Sequence, residues 1–142
     1  MDSGALILSR KRLNAADRIL NELYPAFLDG RLMLSAARGI LAAYSHAIKE
    51  LSANGMKGAI GYALDEKAKE SLEELREIMA MHRKSPVEFE RKGRFVICDS
   101  NYSMRILSHD MLKEHALNAK SFIGRAVTLL EKGQLRENER SL

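Results

Sequence analysis

The sequence has few residues of the kinds that form disulfides, break helices or cross membranes. Its 142 residues include one cysteine, two prolines and no tryptophan. The lone Cys98 excludes an internal disulfide and a multi-cysteine zinc site, and it suits a reducing cytosol. The uncharged stretch at residues 39–48 is half the length of the roughly 20-residue segment that spans a membrane. We therefore expect a cytoplasmic protein that has no membrane partner.

The familiar catalytic and cofactor motifs are missing as well. There is no glycine-rich phosphate loop, no dinucleotide-binding glycine motif and no nucleophile elbow. No Glu-x-x-His pair supports a di-metal bundle, and no His-x-x-x-His pair supports a zinc site. We expect neither a metal ion nor a cofactor. The sequence leaves open whether certain side chains are more than structural, namely Cys98, His46, His109 and His115.

Charge is spread unevenly along the chain. The formal net charge is +4, with +3 over residues 1–49, −3 over residues 50–90 and +4 over residues 91–142. Such an asymmetry suits an anionic partner, but solvated helix faces produce it too. Charge alone therefore does not decide between a binding surface and an ordinary one.

Four segments carry apolar residues at spacings of three and four, the pattern of amphipathic helices. The first follows a predicted N-cap at Ser9 and should kink or locally end at Pro25, which lacks an N–H. The second covers about Arg31–Ala53, and its small residues predict the central helix. The third starts at Asp65 and ends at 85–86, and the last follows a cap at Ser108 and ends at 132–133. Residues 56–62 fit either a loop or a strained helical start.

The segment between the third and last predicted helices has the residue pattern of β-strands, not of a helix. Alternating residues at 87–90, a turn at 91–93 and an apolar run at 94–98 predict a β-hairpin. We therefore predict a mainly all-α fold: an antiparallel, up-and-down bundle of four to five helices with a short hairpin near 87–98 before the last helix. Residues 1–142 should form one domain, with an ordered core at about 9–132 and frayed ends.

Arg76 and His82 form the pair that most suggests chemistry. A histidine can deprotonate a ribose 2′-hydroxyl or protonate a leaving oxygen while an arginine stabilises charge on phosphate, and no metal is needed. A six-residue offset places the two side chains about 120° apart on an ideal helix, so they converge only if the helix unwinds near Met81 or a second chain contributes. The alternative is that His82 terminates the helix at the edge of the core and Arg76 is a surface charge.

Five further basic residues surround this pair and favour an anion such as RNA phosphate. They are Arg83, Lys84, Arg91, Lys92 and Arg94, opposed by Glu88 and Glu90. Five aromatic side chains are candidates either for stacking on bases or, more often at such positions, for core packing; they are Tyr44, Tyr62, Tyr102, Phe89 and Phe95.

The Arg76-x5-His82 spacing, followed by the strand segment and a long closing helix, resembles the HEPN superfamily. These small helical domains include prokaryotic toxins, defence proteins and partners of nucleotidyltransferases, and their signature is Arg-x(4 to 6)-His. The resemblance implies contact with RNA or nucleotide, a homodimer with two Arg76/His82 pairs along one cleft, and in some members RNA cleavage. Glu77 departs from the small polar residue usual after the arginine, and its charge opposes a phosphate.

Two hypotheses follow. The first is a HEPN-like dimer that binds RNA or nucleotide, with Arg76 and His82 available for metal-independent cleavage as an endoribonuclease of a toxin or defence system. The second is a helical protein-interaction module with no enzymatic activity, such as the partner subunit of a nucleotidyltransferase or an antitoxin-like subunit. His82 separates them, because an exposed position in a basic cleft favours the first and an apolar burial favours the second.

Overall fold

The chain forms four long and two short α-helices and one small sheet over residues 6–85 and 87–140, the part that the computed structural model describes. The helices are α1 (Ile7–Arg18), α2 (Tyr24–Phe27), α3 (Arg31–Ala53), α4 (Ile60–Ala63), α5 (Glu66–Lys84) and α6 (His109–Arg140). The strands β1 (Val87–Arg91), β2 (Arg94–Cys98) and β3 (Met104–Ser108) lie between α5 and α6. The predicted mainly α bundle is confirmed. None of the helices in this part of the chain is long and apolar enough to cross a bilayer.

Helix α3 is the central element, as its small residues predict. It packs against α1, α5 and α6, and its alanines at 36, 37, 43 and 47 are fully buried. A Cβ on Gly39 would lie 3.3 Å from the Cβ of Ala16, so α1 and α3 approach closely at this point. Small side chains at the contact permit this approach.

The first helix begins earlier than predicted. Its N-cap position is Leu6, in the left-handed region at φ 59°, and Ser9 is buried inside the helix with an unpartnered hydroxyl. The Leu6 N–H donates to Oε2 of Glu50 at 2.8 Å, and the Leu6 side chain is buried. A tertiary contact from α3 therefore fixes the start of α1, and the prediction of Ser9 as N-cap is wrong.

The first helical segment contains a π-helical turn next to Pro25, where the sequence predicts a kink or a local end of the helix. A π-helical turn at Ile19–Leu23 precedes α2, and the Tyr24 N–H donates to the carbonyl of Ile19. The same pattern would pair the Leu20 carbonyl with residue 25, but proline has no N–H to donate. Nε2 of His109, the first residue of α6, lies 2.5 Å from the Leu20 carbonyl and satisfies it instead.

The helix signals near the middle of the chain are largely confirmed. Residues 56–62 form a helical start, with a 3-10 turn at Lys57–Ala59 leading into α4. Asp65 caps α5, because its Oδ1 accepts from the Ala68 N–H at 2.9 Å. This bond satisfies one of the donors that every helix N-terminus leaves free.

The predicted start of α6 is confirmed, but its predicted end is not. Ser108 caps its start as predicted, since its Oγ accepts from the Met111 N–H at 3.2 Å. The predicted end at 132–133 is wrong, because the helix continues to Arg140. The methyl group of Met56 occupies the space that a Cβ on Gly133 would need. A glycine in the helix interior therefore serves close packing here, not termination.

The predicted hairpin is two strands of a three-stranded antiparallel sheet. The strand order is β1-β2-β3, with Phe89 paired to Val96 and Val96 paired to Ile106. The strand β3 is missing from the sequence prediction. The inner face of the sheet buries Phe95, Ile97 and Leu107 against the helices. Each such side chain contributes about 1.5–3 kcal/mol on burial, which holds a sheet too small to stand alone.

The turn between β1 and β2 is anchored to the helices. Lys92 and Gly93 both have positive φ, which suits a tight hairpin turn. The Tyr24 hydroxyl donates to the Gly93 carbonyl at 3.3 Å. A Cβ on Gly30 would lie 2.7 Å from the Phe95 ring, so the α2–α3 connection packs directly on this end of the sheet. The basic turn is thereby held in one position.

Candidate nucleic-acid interface

The outer face of the sheet is an ordered three-by-three array of side chains. Pairing register and strand alternation place its residues in three rows. The rows are Val87, Cys98 and Met104 near the end of α5; Phe89, Val96 and Ile106 in the middle; and Arg91, Arg94 and Ser108 near the β1–β2 turn. The face therefore changes from apolar to aromatic to basic along the strands.

Apolar side chains on this face are unusually exposed. Val87, Phe89, Met104 and Ile106 are 49%, 41%, 59% and 44% exposed, whereas Val96 between them is buried. Tyr102, in the β2–β3 loop, is 92% exposed. Monomeric proteins rarely leave such residues together without a use for them.

The carboxylates of β1 lie on the opposite face. Glu88 and Glu90 alternate with Phe89 and Arg91, so they point inward where the others point outward. Glu88 bonds Nδ1 of His82, and Glu90 lies near Tyr24, where its charge adds to the effect of burial in raising the pKa of the tyrosine. The outer face of the three strands consequently carries positive charge alone.

Three of the predicted anion-binding residues share one open groove. Arg91, Lys92 and Arg94 line a depression of about 430 Å³ together with Phe89, Val96, Met104 and Ile106. Among the described residues, none of these three cations forms an ion pair. Their charges are therefore available to an anion from solution.

The other two predicted anion-binding residues lie elsewhere. Arg83 and Lys84 are exposed at the C-terminal end of α5, next to the start of β1. The basic turn is at the far end of that strand, about 13 Å away at 3.3 Å per residue. The five cations thus form two groups separated by the length of the sheet.

The structure does not bring Arg76 and His82 together within one chain. Helix α5 remains α-helical through Lys84, with no unwinding near Met81. The two residues are therefore about 9 Å apart along the axis and about 120° apart around it. Arg76 is exposed, and half-buried His82 is bonded through Nδ1 to the Glu88 carboxylate. A shared site requires a second chain.

Glu77, the residue that opposes a phosphate beside Arg76, has a partner. Its carboxylate bonds the guanidinium of Arg105 on β3. This pair and the His82–Glu88 pair fasten both edge strands of the sheet to α5.

His115 belongs to a buried polar network, not to a surface site. Its Nδ1 is hydrogen-bonded to the Ser71 hydroxyl at 2.7 Å, and Asn118 Nδ2 donates to the same oxygen at 2.9 Å. Its Nε2 faces a Glu74 carboxylate oxygen at 3.3 Å. Burial lowers the pKa of His115, with the charges of Glu74 and Glu114 opposing this effect. Through Ser71, His115 and Asn118, the network joins α5 to α6.

The remaining candidates divide between core and surface. Tyr44 and Phe95 are buried as the packing interpretation predicts, and burial raises the pKa of Tyr44 to about 12. The packing interpretation is wrong for Phe89, Tyr62 and Tyr102, which are exposed. Cys98 is half-buried on the outer face of the sheet, and the described residues contain no cluster of three or more metal-ligating side chains.

The contribution of β3 to this surface is not predicted from the sequence. Met104 and Ile106 complete the groove, yet no hairpin prediction over 87–98 includes them. The alternation of Val87, Glu88, Phe89 and Glu90 already separates the carboxylates from the outer face. That signal was present in the sequence and would have identified the face.

Comparison with known proteins gives no match: no family model fits the chain, and no curated protein or solved structure is similar to it. The resemblance to HEPN domains therefore stays a hypothesis that rests on the Arg76-x5-His82 spacing and on the strand segment and closing helix that follow it.

Proposed function

We propose that this protein binds RNA, with Arg91, Lys92 and Arg94 as the residues that contact phosphate. One observation carries the proposal: these three cations line a single groove, have no carboxylate partner within the described part of the chain, and lie beside an exposed phenylalanine. Lysine and arginine contacts to phosphate supply most sequence-independent affinity for nucleic acid. An adjacent aromatic side chain adds a surface on which a base can stack.

Cleavage is the second part of the proposal, and it depends on a dimer. His82 would act as general acid or base and Arg76 would stabilise charge on phosphate, without metal. Because α5 separates them within one chain, Arg76 of one protomer would have to meet His82 of the other. A cytoplasmic location suits such a protein, since RNA is present there and a lone cysteine stays reduced.

A second candidate function is protein interaction without catalysis. The exposed apolar side chains of Val87, Met104 and Ile106 favour it, because surfaces of this kind commonly mark protein interfaces. The partner would be a nucleotidyltransferase or, if this protein is an antitoxin-like subunit, a toxin. Its surface would need acidic groups to meet the basic row of the sheet.

RNA binding is tested by fluorescence anisotropy with a labelled single-stranded RNA of mixed sequence. Wild type is compared with Arg91→Ala/Arg94→Ala and with a control, Lys67→Ala/Lys69→Ala, which removes the same charge from exposed positions on α5. We expect affinity to fall at least tenfold in the first variant and to change little in the control. Equal loss in both variants would show that only net charge matters.

Cleavage is followed on the same RNA by gel electrophoresis, with and without chelator. His82→Ala and Arg76→Ala should each abolish cutting, and an equimolar mixture of the two should recover part of it if each site draws on two chains. Binding without cutting leaves the phosphate-contacting role intact and removes the nuclease. Absence of RNA binding, together with capture of an acidic protein, would favour the second function.

A further inference from the structure

We infer that the outer face of the sheet binds single-stranded RNA through its bases, with Phe89 as the stacking residue and the basic row holding the adjoining phosphates. This inference rests on the proposed function and specifies its substrate. It assigns a role to the apolar rows as well as to the cations. The groove lined by Phe89, Arg91, Arg94 and Met104 is the binding site.

The spacing of the array suits a nucleotide that lies across it. Alternate residues on a strand are about 6.6 Å apart, so Phe89 lies one row from Arg91 and Arg94. A base stacked on Phe89 would therefore place its own or the neighbouring phosphate within reach of the two long guanidinium side chains. Val96, the buried cross-strand neighbour of Phe89 in the middle row, supports the ring from the side.

Exposed apolar and aromatic side chains distinguish single strands from duplexes. In a duplex the faces of the bases are stacked on one another, so a protein reaches mainly phosphates, sugars and groove edges. Unpaired bases present their faces, and stacking on an aromatic side chain is worth about 5- to 150-fold in affinity per base. A groove that needed only phosphate would gain nothing from Phe89, Met104 and Ile106.

A second copy of this chain is a poorer occupant of the same face. An antiparallel face-to-face pair would lay the row of Arg91 and Arg94 over the apolar row of Val87 and Met104. The outer face carries no carboxylate, so the guanidinium groups would lose water without gaining a partner. Burying an unpaired charge in this way is strongly unfavourable. RNA supplies both the apolar surface and the negative charge.

The test measures affinity for one RNA sequence as a single strand and as a blunt duplex. We expect the single strand to bind at least tenfold more tightly. Phe89→Ala should reduce single-strand affinity about 5- to 150-fold, while Phe89→Tyr should stay within about twofold of wild type because it keeps the ring. The control is Phe27→Ala, which removes a 71% exposed ring from α2. Circular dichroism shows that each variant is folded.

The alkylation rate of Cys98 gives an independent measure of whether the outer face is covered. Cys98 is the single cysteine and lies in the apolar row. Bound single-stranded RNA should slow its alkylation, measured by intact mass. Binding without Cys98 protection, without dependence on Phe89, or with equal affinity for duplex would overturn this inference and leave RNA binding standing. Alkylation that accelerates on dilution of the free protein would show that a second copy covers the face. Absence of all RNA binding would remove both proposals.

Discussion

Single residues determine how the basic turn is held against the bundle. Gly30 has an ordinary helical φ of −60°, so its importance is space and not backbone freedom. An added Cβ would lie 2.7 Å from the Phe95 ring and 3.0 Å from a Glu90 carboxylate oxygen. Phe95 is a buried side chain on the inner face of the sheet, and it has little room to move.

Gly30→Ala should therefore destabilise the protein by about 1–3 kcal/mol, the usual cost of overpacking. Gly124→Ala is the matched control, because Gly124 lies within α6 and a Cβ there meets nothing within 4 Å. It should stabilise by about 0.5–1 kcal/mol, since alanine is the better helix residue. Urea unfolding measures both changes, and a neutral Gly30→Ala would mean that the turn is not packed as described.

His115 gives the stability of the protein a dependence on pH. Its pKa is lowered in the folded protein because burial disfavours the imidazolium ion, and in the unfolded chain it returns toward about 6.5. As the pH falls below that value, the unfolded chain takes up a proton that the folded protein resists. The free energy of unfolding should thus decrease as pH falls through this range, by at most about 1.4 kcal/mol per pH unit from this group.

His115→Gln tests this dependence, since glutamine keeps a polar side chain beside Ser71 but does not titrate. Urea unfolding at pH 7.5, 6.5 and 5.5 should show a flatter pH profile for the variant than for wild type. Carboxylates titrate in both proteins, so the difference between the two profiles isolates residue 115. Parallel profiles would show that His115 binds its proton equally in the folded and unfolded states.

At the scale of elements, the π-helical turn and the start of α6 depend on each other. Pro25 withholds an N–H from the Leu20 carbonyl, and His109 supplies a donor in its place. Leaving a buried carbonyl without a donor costs about 1–3 kcal/mol. His109→Ala should therefore destabilise wild type by an amount in that range.

Pro25→Ala returns an N–H to the chain, and so it should make His109 less important. We expect His109→Ala to cost at least about 0.5 kcal/mol less in the Pro25→Ala background than in wild type, a coupling that a double-mutant cycle on unfolding free energies measures. Additive effects would show that the two residues act separately. They would also show that His109 does not compensate for the N–H that Pro25 lacks.

The helices follow from local sequence, whereas the points where prediction fails depend on distant residues. Periodic apolar positions and the caps Asp65 and Ser108 suffice for α5 and α6. The start of α1 depends on Glu50, 44 positions from Leu6, and the space beside Gly133 in α6 is occupied by the methyl group of Met56. No local pattern contains these contacts.

The sheet differs from the helices in this respect. Residues 87–98 form the predicted hairpin, and β3 pairs with β2 across the short loop at 99–103, so the omission of β3 is a failure of local prediction and not an effect of distant residues. The cations of the turn were identified from their proximity in sequence. Their separation from Arg83 and Lys84, and the engagement of His82 by Glu88, follow from how the sheet lies on α5.

For the whole molecule, the proposed RNA contact lies on the β1–β2 turn and the outer face of the sheet. The overall charge of +4 is modest, so attraction must come from where the charge lies. Cations that contact phosphate release counterions, and each contact contributes about 0.7 to the slope of log affinity against log salt for a single strand. This slope counts contacts directly.

The decisive measurement is the slope of log affinity against log salt. It is obtained from anisotropy titrations with single-stranded RNA at salt concentrations from about 50 to about 300 mM. Arg91→Ala/Arg94→Ala should reduce its magnitude by about 1.4 relative to wild type, and Lys67→Ala/Lys69→Ala should leave it unchanged. Equal slopes for wild type and Arg91→Ala/Arg94→Ala would contradict the claim, because the two arginines would then contact no phosphate.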